Sequence, residues 1–558
     1  MVLVVEPSDM HDVAMTDVPY TTAPPRGRRF PTAEVVVAAA AFVAFSVVVL
    51  TKATTLLEPD DAAYLASIVA LTHGHLSLST AQYHQVAAEL HAHYGTSIVQ
   101  WVHLPSGRWI SEKNPGYPFY ALPFKLLGIL RAAPLFAAAL ASTSLFIGAR
   151  RWLGRWGGSW AVVLFLASGA AMAFAWRPTM PSFTDGCLVA AGVGALLWTL
   201  LATDATRRRR TLGGLAGFVF LEAAVAMRYT DIVLLLVAVV AVAVVARRCR
   251  IPLRSLLWWA ASLVVVGLAV ALFNAHFYGG ATKTGYGTGE ITFSLSAIGP
   301  NLRIMPKLLV EAVPGLVLGL GALGWMAVRL VRSRSTSIDV ATSRRWRTDA
   351  VVGAWLVAGW LAIWGLYSAY TWTAQMGGGG GSGGAGGPPG VGGPGGGFRP
   401  PTGLQPPTGF RLPPGLKLPS GLHLHAGAMA AGGNSIHLIR FYLPAIGLIA
   451  LLGAWLLVQL PKWLPVIVLG VLSVLGVMSF HSLTAGGGFG TGGPGGGRPP
   501  IGVNGGFPYG GPGAFPGGAN GSPSGGFGPP PSGARQPGTA PPAGVPSGAQ
   551  PSGSASRP

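Results

Sequence analysis

The stretch AEVVVAAAAFVAFSVVVLTKATTLLEPDDAAYL, residues 33–65, holds the two features on which the reading of this chain turns. Residues 33–50 form an apolar run long enough to cross a bilayer as a helix. About ten residues beyond it, after Glu58, stand Asp60 and Asp61. Runs of the first kind recur at roughly 133–149, 159–176, 183–202, 211–227, 230–246, 255–277, 308–331, 350–371, 436–459 and 463–480. Together they predict an all-α polytopic membrane protein with about eleven transmembrane helices.

Half of the 558 residues are hydrophobic and only 10% are charged, as a chain dominated by spans requires. The net charge of +20 would suggest a nucleic-acid partner in a soluble protein. Here the basic residues collect between apolar runs, in ARRWLGR, TRRRR, ARRCRIPLR, VRLVRSRS and SRRWR, so topology accounts for them and no nucleic acid is expected. Their alternation predicts a multi-pass plasma-membrane protein with its N-terminus cytoplasmic and its C-terminus outside. Residues 1–32, polar and ending in PPRGRRF, read as a disordered cytoplasmic tail ahead of an uncleaved signal anchor. Cys187 and Cys249 are the only cysteines, which excludes a disulfide framework and any metal-type cysteine spacing.

The expected organisation is a transmembrane catalytic region over 33–371, including an outer loop at 51–132, then an outer Gly/Pro-rich loop over 372–435. A C-terminal transmembrane pair over 436–480 and a disordered Gly/Pro-rich outer tail over 481–558 follow. Residues 377–421 and 486–558 have too few large apolar side chains to bury a core, so they read as linker and tail. A wall-threading or self-associating role is the sharper alternative. The dipeptide-length turn in AMRYTD joins two short helices at the outer surface.

Asp60 and Asp61 open the segment DDAAYLASIVALTHGHL, whose apolar residues recur at helical spacing. An interfacial amphipathic helix would hold both acids at its N-terminus, just above the hydrocarbon. Helix capping by Asp60 with Asp61 in the first turn is the plainer alternative. The same loop closes with SGRWISEKNPGYPFYALPFKLLG, which adds Lys113. A carboxylate and a lysine on one interfacial loop suit transfer from a phosphate-linked donor: the acid removes a proton from an acceptor hydroxyl and the cation neutralises the departing phosphate.

At these residues the chain resembles the GT-C superfamily of integral-membrane glycosyltransferases, in particular the branch with protein O-mannosyltransferases and the aminoarabinose transferase of lipid A. The pair Asp60 and Asp61 followed by Tyr64 is similar to that family's acidic motif. Lys113, Asn114, Pro115, Gly116, Tyr117 and Pro118 resemble its Lys/Tyr-Pro-Pro segment, with Asn114 standing where many relatives have Pro. Asp185 in PSFTDGCLVA resembles its acid at the start of the fourth span, and Arg228 with Tyr229 its Arg-Tyr turn. Asn274 with Gly285 and Tyr286 in FNAHFYGGATKTGYG, and Arg440, Tyr442 and Pro444 in HLIRFYLP, complete the likeness over residues 33 to 480.

The resemblance implies a GT-C-like fold and an outer-face glycosyltransferase that uses a polyprenyl-phosphate sugar as donor and a cell-envelope glycan, lipid or protein as acceptor. It implies Asp60 as general base with inversion, and Asp61 and Asp185 orienting the acceptor, positioning Asp60 or holding a divalent cation. Lys113, Arg228 and Arg440 would face the donor phosphate, with Tyr64, Tyr117 and Tyr286 also at the substrate. No metal ligand is assigned. The plainer readings are a snorkelling lysine for Lys113 and ordinary outer-end arginines for Arg228 and Arg440.

Six of the twelve histidines, His73, His75, His84, His91, His93 and His103, share the outer loop. Residues two apart on a helix diverge, so solvated loop histidines are expected rather than a metal site. Glu290 and Glu311 carry no assignment. A polytopic transporter or lipid flippase is the alternative class, and a structural cell-wall protein another. The first would show paired, interrupted spans with internal repeats, and the second would need neither Asp60 nor Lys113.

Overall fold

A computed structural model describes residues 33–52, 59–104, 106–286, 292–333, 340–377 and 438–485. The tail 1–32, Glu58, Glu290, the Gly/Pro-rich sequence of 378–437 and the tail from 486 lie outside the described residues. So does the second of the chain's two units, Pro500–Pro558, and the structure below belongs to the first, Met1–Pro499.

Nine helices among the described residues are long and apolar enough to cross a membrane, or up to eleven if two bent pairs each count as one span. In chain order the helices that form spans are α1 (Ala33–Thr51), α5 (Ala132–Leu153), the pair α6 (Gly157–Leu166) and α7 (Gly169–Ala175), α8 (Pro181–Leu201) and α9 (Arg207–Met227). Next come α10 (Ile232–Ala246), α11 (Leu253–Tyr278), the pair α12 (Ile298–Ala312) and α13 (Leu316–Ser333), and α14 (Val340–Ser368). After the short α15 (Thr371–Gly377), a 3-10 turn (Arg440–Ala445) leads into α16 (Ile446–Leu457), and α17 (Leu464–Ala485) ends the described chain. The chain is thus an all-α polytopic membrane protein.

The two bends have local causes. Between α6 and α7 the axis turns by 62°. There Ser168 adopts an extended backbone and its hydroxyl accepts from the Ala171 N–H, which restarts the helix. Between α12 and α13 the turn is 109°, at Val313-Pro314-Gly315. A proline disfavours helical geometry in the residue before it and cannot donate to the preceding turn. The run expected at 308–331 is therefore not one straight span. Its start belongs to α12, which buries Met305 and Leu309 on one face and exposes Arg303, Lys307 and Glu311 on the other.

Packing concentrates on α8, which lies against α5 and α9. In the spans of α8 and α16, 83% of residues are buried, against 6% in α11, whose Leu257, Val264, Val265, Leu268 and Leu272 are exposed. Close backbone approach explains the density of the first group. A Cβ on Gly194 of α8 would lie 2.5 Å from the Ser144 carbonyl carbon of α5, so a small residue is needed where those helices meet.

The segment between α1 and α5 is a small lobe with its own core. It contains α2 (Pro59–Thr72), α3 (Thr80–Tyr94), α4 (Gly116–Leu126) and a three-stranded antiparallel sheet of β1 (Ser77–Leu78), β2 (Trp101–His103) and β3 (Trp109–Ser111) in the order β1-β3-β2. Val102 pairs with Ile110 in β3, which also pairs with Ser77. α3 starts at a capping box in which the Ser79 hydroxyl accepts from Gln82 and the Gln82 side chain accepts from the Ser79 N–H. α2 starts at the expected acids, but Asp61 to Ala70 are all buried, so it does not lie on the bilayer surface as an amphipathic helix. Leu65, Ala66, Val69 and Ala70 pack with Leu78, Val86, Leu90, Ile98 and Trp101, while Tyr64 and Ile68 join the transmembrane core. A helix apolar on every side is buried on every side.

Candidate active site

Four side chains from widely separated segments converge at the start of α2. Asp60 receives Lys113 Nζ at 2.9 Å on Oδ1 and Arg440 Nη1 at 2.5 Å on Oδ2. Lys113 sits in the loop between β3 and α4, with Nζ 3.5 Å from the Tyr286 hydroxyl and 5.1 Å from that ring's centre. The side chains of Lys113, Arg440 and Asp60 retain 6%, 14% and 16% exposure, so the cluster is nearly but not wholly shielded from solvent.

The electrostatics follow from two cations on one carboxylate. Burial pushes the Asp60 carboxyl up, but the Lys113 ammonium and the Arg440 guanidinium outweigh it and hold the group well below the usual carboxylate range. Burial likewise opposes the charge on Lys113, and Asp60 reverses the effect, so the ammonium is held above its ordinary value. Asp60 is ionised and bound at rest. The local sum of Lys113, Arg440 and Asp60 is one net positive charge, which suits an incoming anion.

The walls hold these groups in place. Gln100 has φ 56°, in the left-handed region, and its side chain reaches Asp60. Strain of this kind persists only where surrounding structure enforces it; the Gln100 carbonyl accepts from the Glu112 N–H at 2.9 Å, beside Lys113. The Asn114 amide donates to the Met227 carbonyl, and a Cβ on Gly116 would lie 2.5 Å from the Ala226 carbonyl carbon, so the Lys113 loop seats directly on the end of α9. A Cβ on Gly285 would likewise lie 2.5 Å from Glu112 Cα, which explains a glycine before Tyr286. Behind Arg440, the guanidinium lies 5.4 Å from the Trp372 ring and 4.7 Å from the Phe441 ring. The Asn301 amide braces that wall, donating to the carbonyls of Ser368 and Tyr370 at the end of α14.

The remaining expected residues occupy deeper layers. Asp61 is fully buried, with Oδ2 2.5 Å from Arg177 Nη2 and Oδ1 accepting from the Thr179 hydroxyl at 2.8 Å. Tyr117 is buried against Tyr64 in an edge-on contact of 5.7 Å, and its hydroxyl donates to the Pro178 carbonyl. Burial raises both phenols above their ordinary value. These three residues bolt α2 and α4 to the segment that precedes α8. Asp185 and Arg228 form a further layer, with Arg228 Nε 3.5 Å from Asp185 Oδ2. Arg228 Nη2 donates to the Ser182 hydroxyl and Nη1 to the Arg440 carbonyl, at 2.9 and 3.0 Å. Tyr229 donates to Asn274 at 3.1 Å.

Sequence reasoning missed Arg177, Gln100, Asp231 and Trp372. Arg177 carried a signal, as a charged residue at the end of an apolar run. Gln100 carried none, since its conformation is imposed from outside. Among the histidines, His73 pairs with Glu89 and His75 with Gln82, each at 2.9 Å. No group of three or more His, Cys, Asp or Glu side chains gathers among the described residues. The acids at the site each face a cation: Asp60 faces Lys113 and Arg440, Asp61 faces Arg177, and Asp185 faces Arg228.

Comparison with known proteins adds little at the sequence level: no protein-family model and no curated protein matches the chain. Among solved structures, the chain is similar to ArnT from Cupriavidus metallidurans bound to undecaprenyl phosphate, with 15% identity and a TM-score of 0.44 over 80% of this chain. It spans 64% of the length of that protein. ArnT from the same organism in the apo state gives 17% identity and a TM-score of 0.34, over 80% of this chain and 76% of that one.

Proposed function

We propose that this chain is a GT-C-like membrane glycosyltransferase that moves a sugar from a polyprenyl-phosphate-linked donor to a cell-envelope acceptor at the outer face of the plasma membrane. The observation that carries the reading is the placement of Asp60 between Lys113 and Arg440 at the rim of the transmembrane core. A carboxylate so paired is a poor base, because its affinity for a proton is lowered by the cations it touches. A donor phosphate changes that. It competes for the same two cations, and as Lys113 and Arg440 turn to the phosphate oxygens, Asp60 loses its partners and its basicity rises. Donor binding thus prepares the base, and an empty site stays inert.

The transfer then balances as a single displacement. The acceptor hydroxyl gives its proton to Asp60 while its oxygen bonds to the anomeric carbon on the face opposite the phosphate. The carbon–oxygen bond to phosphate breaks, and the polyprenyl phosphate leaves with its charge held by Lys113 and Arg440. Configuration inverts. Tyr286 flanks the Lys113 side of the phosphate, Arg228 supports Arg440 from behind, and Asp61, Tyr64, Tyr117 and Asp185 position these groups. A cavity of about 20 Å³, room for about one water molecule, lies beside Lys113 and is lined also by Leu71, Trp101, Ile110 and Phe273. The N-terminus would be cytoplasmic and the C-terminus outside, which puts the site on the outer side.

The test is sugar transfer from a panel of radiolabelled polyprenyl-phosphate sugars in membranes that carry wild type or Asp60→Asn at equal expression. Transfer that vanishes in the variant supports the reading and names the donor. No consumption of any donor, or equal consumption by both proteins, overturns it in favour of a transporter.

A further inference from the structure

Below the Asp60 clamp lies a second pair of acids, Asp185, which the proposed mechanism uses to position Arg228, and Asp231, which it leaves unused. Asp185 stands in α8 and Asp231 closes the 3-10 turn (Tyr229–Asp231) between α9 and α10. Their side chains are 0% and 1% exposed. The two carboxyl groups are in contact with one another. Arg228 is the cation they share, with Nε 3.5 Å from Asp185. Among the described residues, no N–H or O–H donates a hydrogen bond to any of the four carboxyl oxygens.

Ionised carboxylates only accept hydrogen bonds. Two of them in buried contact with no donor between them repel, and one guanidinium cannot neutralise both. A single proton between the carboxyls resolves the charge count and turns the contact into a hydrogen bond. Asp185 is the member that faces Arg228, so it keeps the charge, and Asp231 holds the proton and donates to it. The other titratable groups facing this layer are Cys187 on α8, Tyr64 on α2 and Tyr367 at the end of α14. Thiols and phenols add no charge at neutral pH. The Tyr367 hydroxyl is engaged with Thr230 at 2.6 Å.

We propose that Asp231 is the protonated half of an acid–carboxylate pair with Asp185, and that this pair positions Arg228 and, through the Arg440 carbonyl, the cation that meets the donor phosphate. The mechanical link is the 3.0 Å bond from Arg228 Nη1 to the backbone oxygen of Arg440, whose own side chain holds Asp60. Loss of the proton leaves two negative charges on one side of Arg228 and draws it away from that carbonyl. The inference rests on Lys113 and Arg440 forming a phosphate clamp.

The experiment measures binding of radiolabelled polyprenyl phosphate to the purified full chain between about pH 6 and 9, for wild type, Asp185→Asn, Asp231→Leu and Asp231→Asn. Asp185→Asn and Asp231→Leu are each expected to weaken binding at neutral pH by about tenfold or more. Asp231→Asn keeps a donor toward Asp185, so it recovers most of that loss and removes the fall in affinity that wild type shows at alkaline pH. If Asp231→Asn binds as weakly as Asp231→Leu, or keeps the alkaline fall, the proposal is wrong. An independent readout is the infrared carbonyl band of a buried carboxylic acid, taken in a Glu222→Gln background because Glu222, at 2% exposure and bonded by the Ser262 hydroxyl, is another buried acid that could give such a band. The band should disappear in Asp231→Asn, and its persistence overturns the proposal. Should wild type bind no polyprenyl phosphate at any pH, the phosphate reading fails, while the infrared band still decides the pair.

Discussion

Asp60 and Asp61 are neighbours in the chain, yet they end in two regions with opposite properties. Asp60 sits at a rim with 16% of its side chain exposed, held by two cations from two different segments. Asp61 points the other way, into a closed layer where Arg177 and Thr179 engage it at 1% and 5% exposure. The difference is whether another anion could take the carboxylate's place. On the proposed reading Lys113 and Arg440 can turn to a phosphate, being the pair that keeps 6% and 14% exposure. Arg177 cannot, so its pair serves the architecture.

Substitutions should separate the two regions. The largest effect is expected from Asp60→Asn, with transfer lowered by roughly 10²–10⁴-fold in a protein that still folds, though without the stability its clamp contributes. An equal loss of activity and folding in that variant would erase the contrast. Next, Asp61→Leu or Arg177→Met alone should destabilise the fold by about 3–5 kcal/mol, because each removes the opposite charge that balances a buried one. The double variant Asp61→Leu/Arg177→Met should recover most of that stability in thermal unfolding. If instead the double variant folds but loses all transfer, Asp61 belongs with Asp60 as a reacting group.

Pocket-lining strain and close approach come next in size. Gly285→Ala would force a Cβ against Glu112 and shift Tyr286 from Lys113, a disturbance of about 1–3 kcal/mol that should be seen first as weaker donor binding. Gln100→Ala removes a contact to Asp60 and should lower transfer by about tenfold, a typical value for a hydrogen bond to a charged group.

The pH dependence sharpens the same comparison. Asp60's folded-state pKa is depressed, so the stability contributed by its clamp is fully present above the ordinary carboxylate value and is lost progressively as pH falls from there toward the depressed one. The stability difference between wild type and Asp60→Asn should therefore stay constant from pH 8 down to about 5, and shrink below about 4. The smallest effect is expected from His73→Ala, which breaks a partly exposed pair with Glu89; unfolding should change by less than about 1 kcal/mol.

Much of this was legible in the residues themselves. The spans could be read because a bilayer demands long apolar runs whatever their neighbours are, and both bends coincide with residues that disturb helices, Ser168 and Pro314. Within the candidate site, Asp60, Lys113, Tyr286 and Arg440 could be named from the sequence and do meet. Burial could not be read for Asp61 and Tyr117, since a motif marks positions along a strand or helix and not which side faces the interior. α2 looked interfacial for the same reason: only the packing of β1, α3 and Ile98 around it shows that its outer side is covered too.

What the sequence by itself determined is the class of the molecule and the identity of its charged groups, because hydrophobic runs and acidic or basic side chains carry their chemistry wherever they are placed. Tertiary structure alone decided how those charges are shared. The sequence separations of 380 from Asp60 to Arg440, and of 116 from Asp61 to Arg177, are closed by helix packing. Which carboxylate obtains a displaceable partner and which a buried one depends on that packing, since electrostatic energy is set by distance and surrounding dielectric rather than by order along the chain.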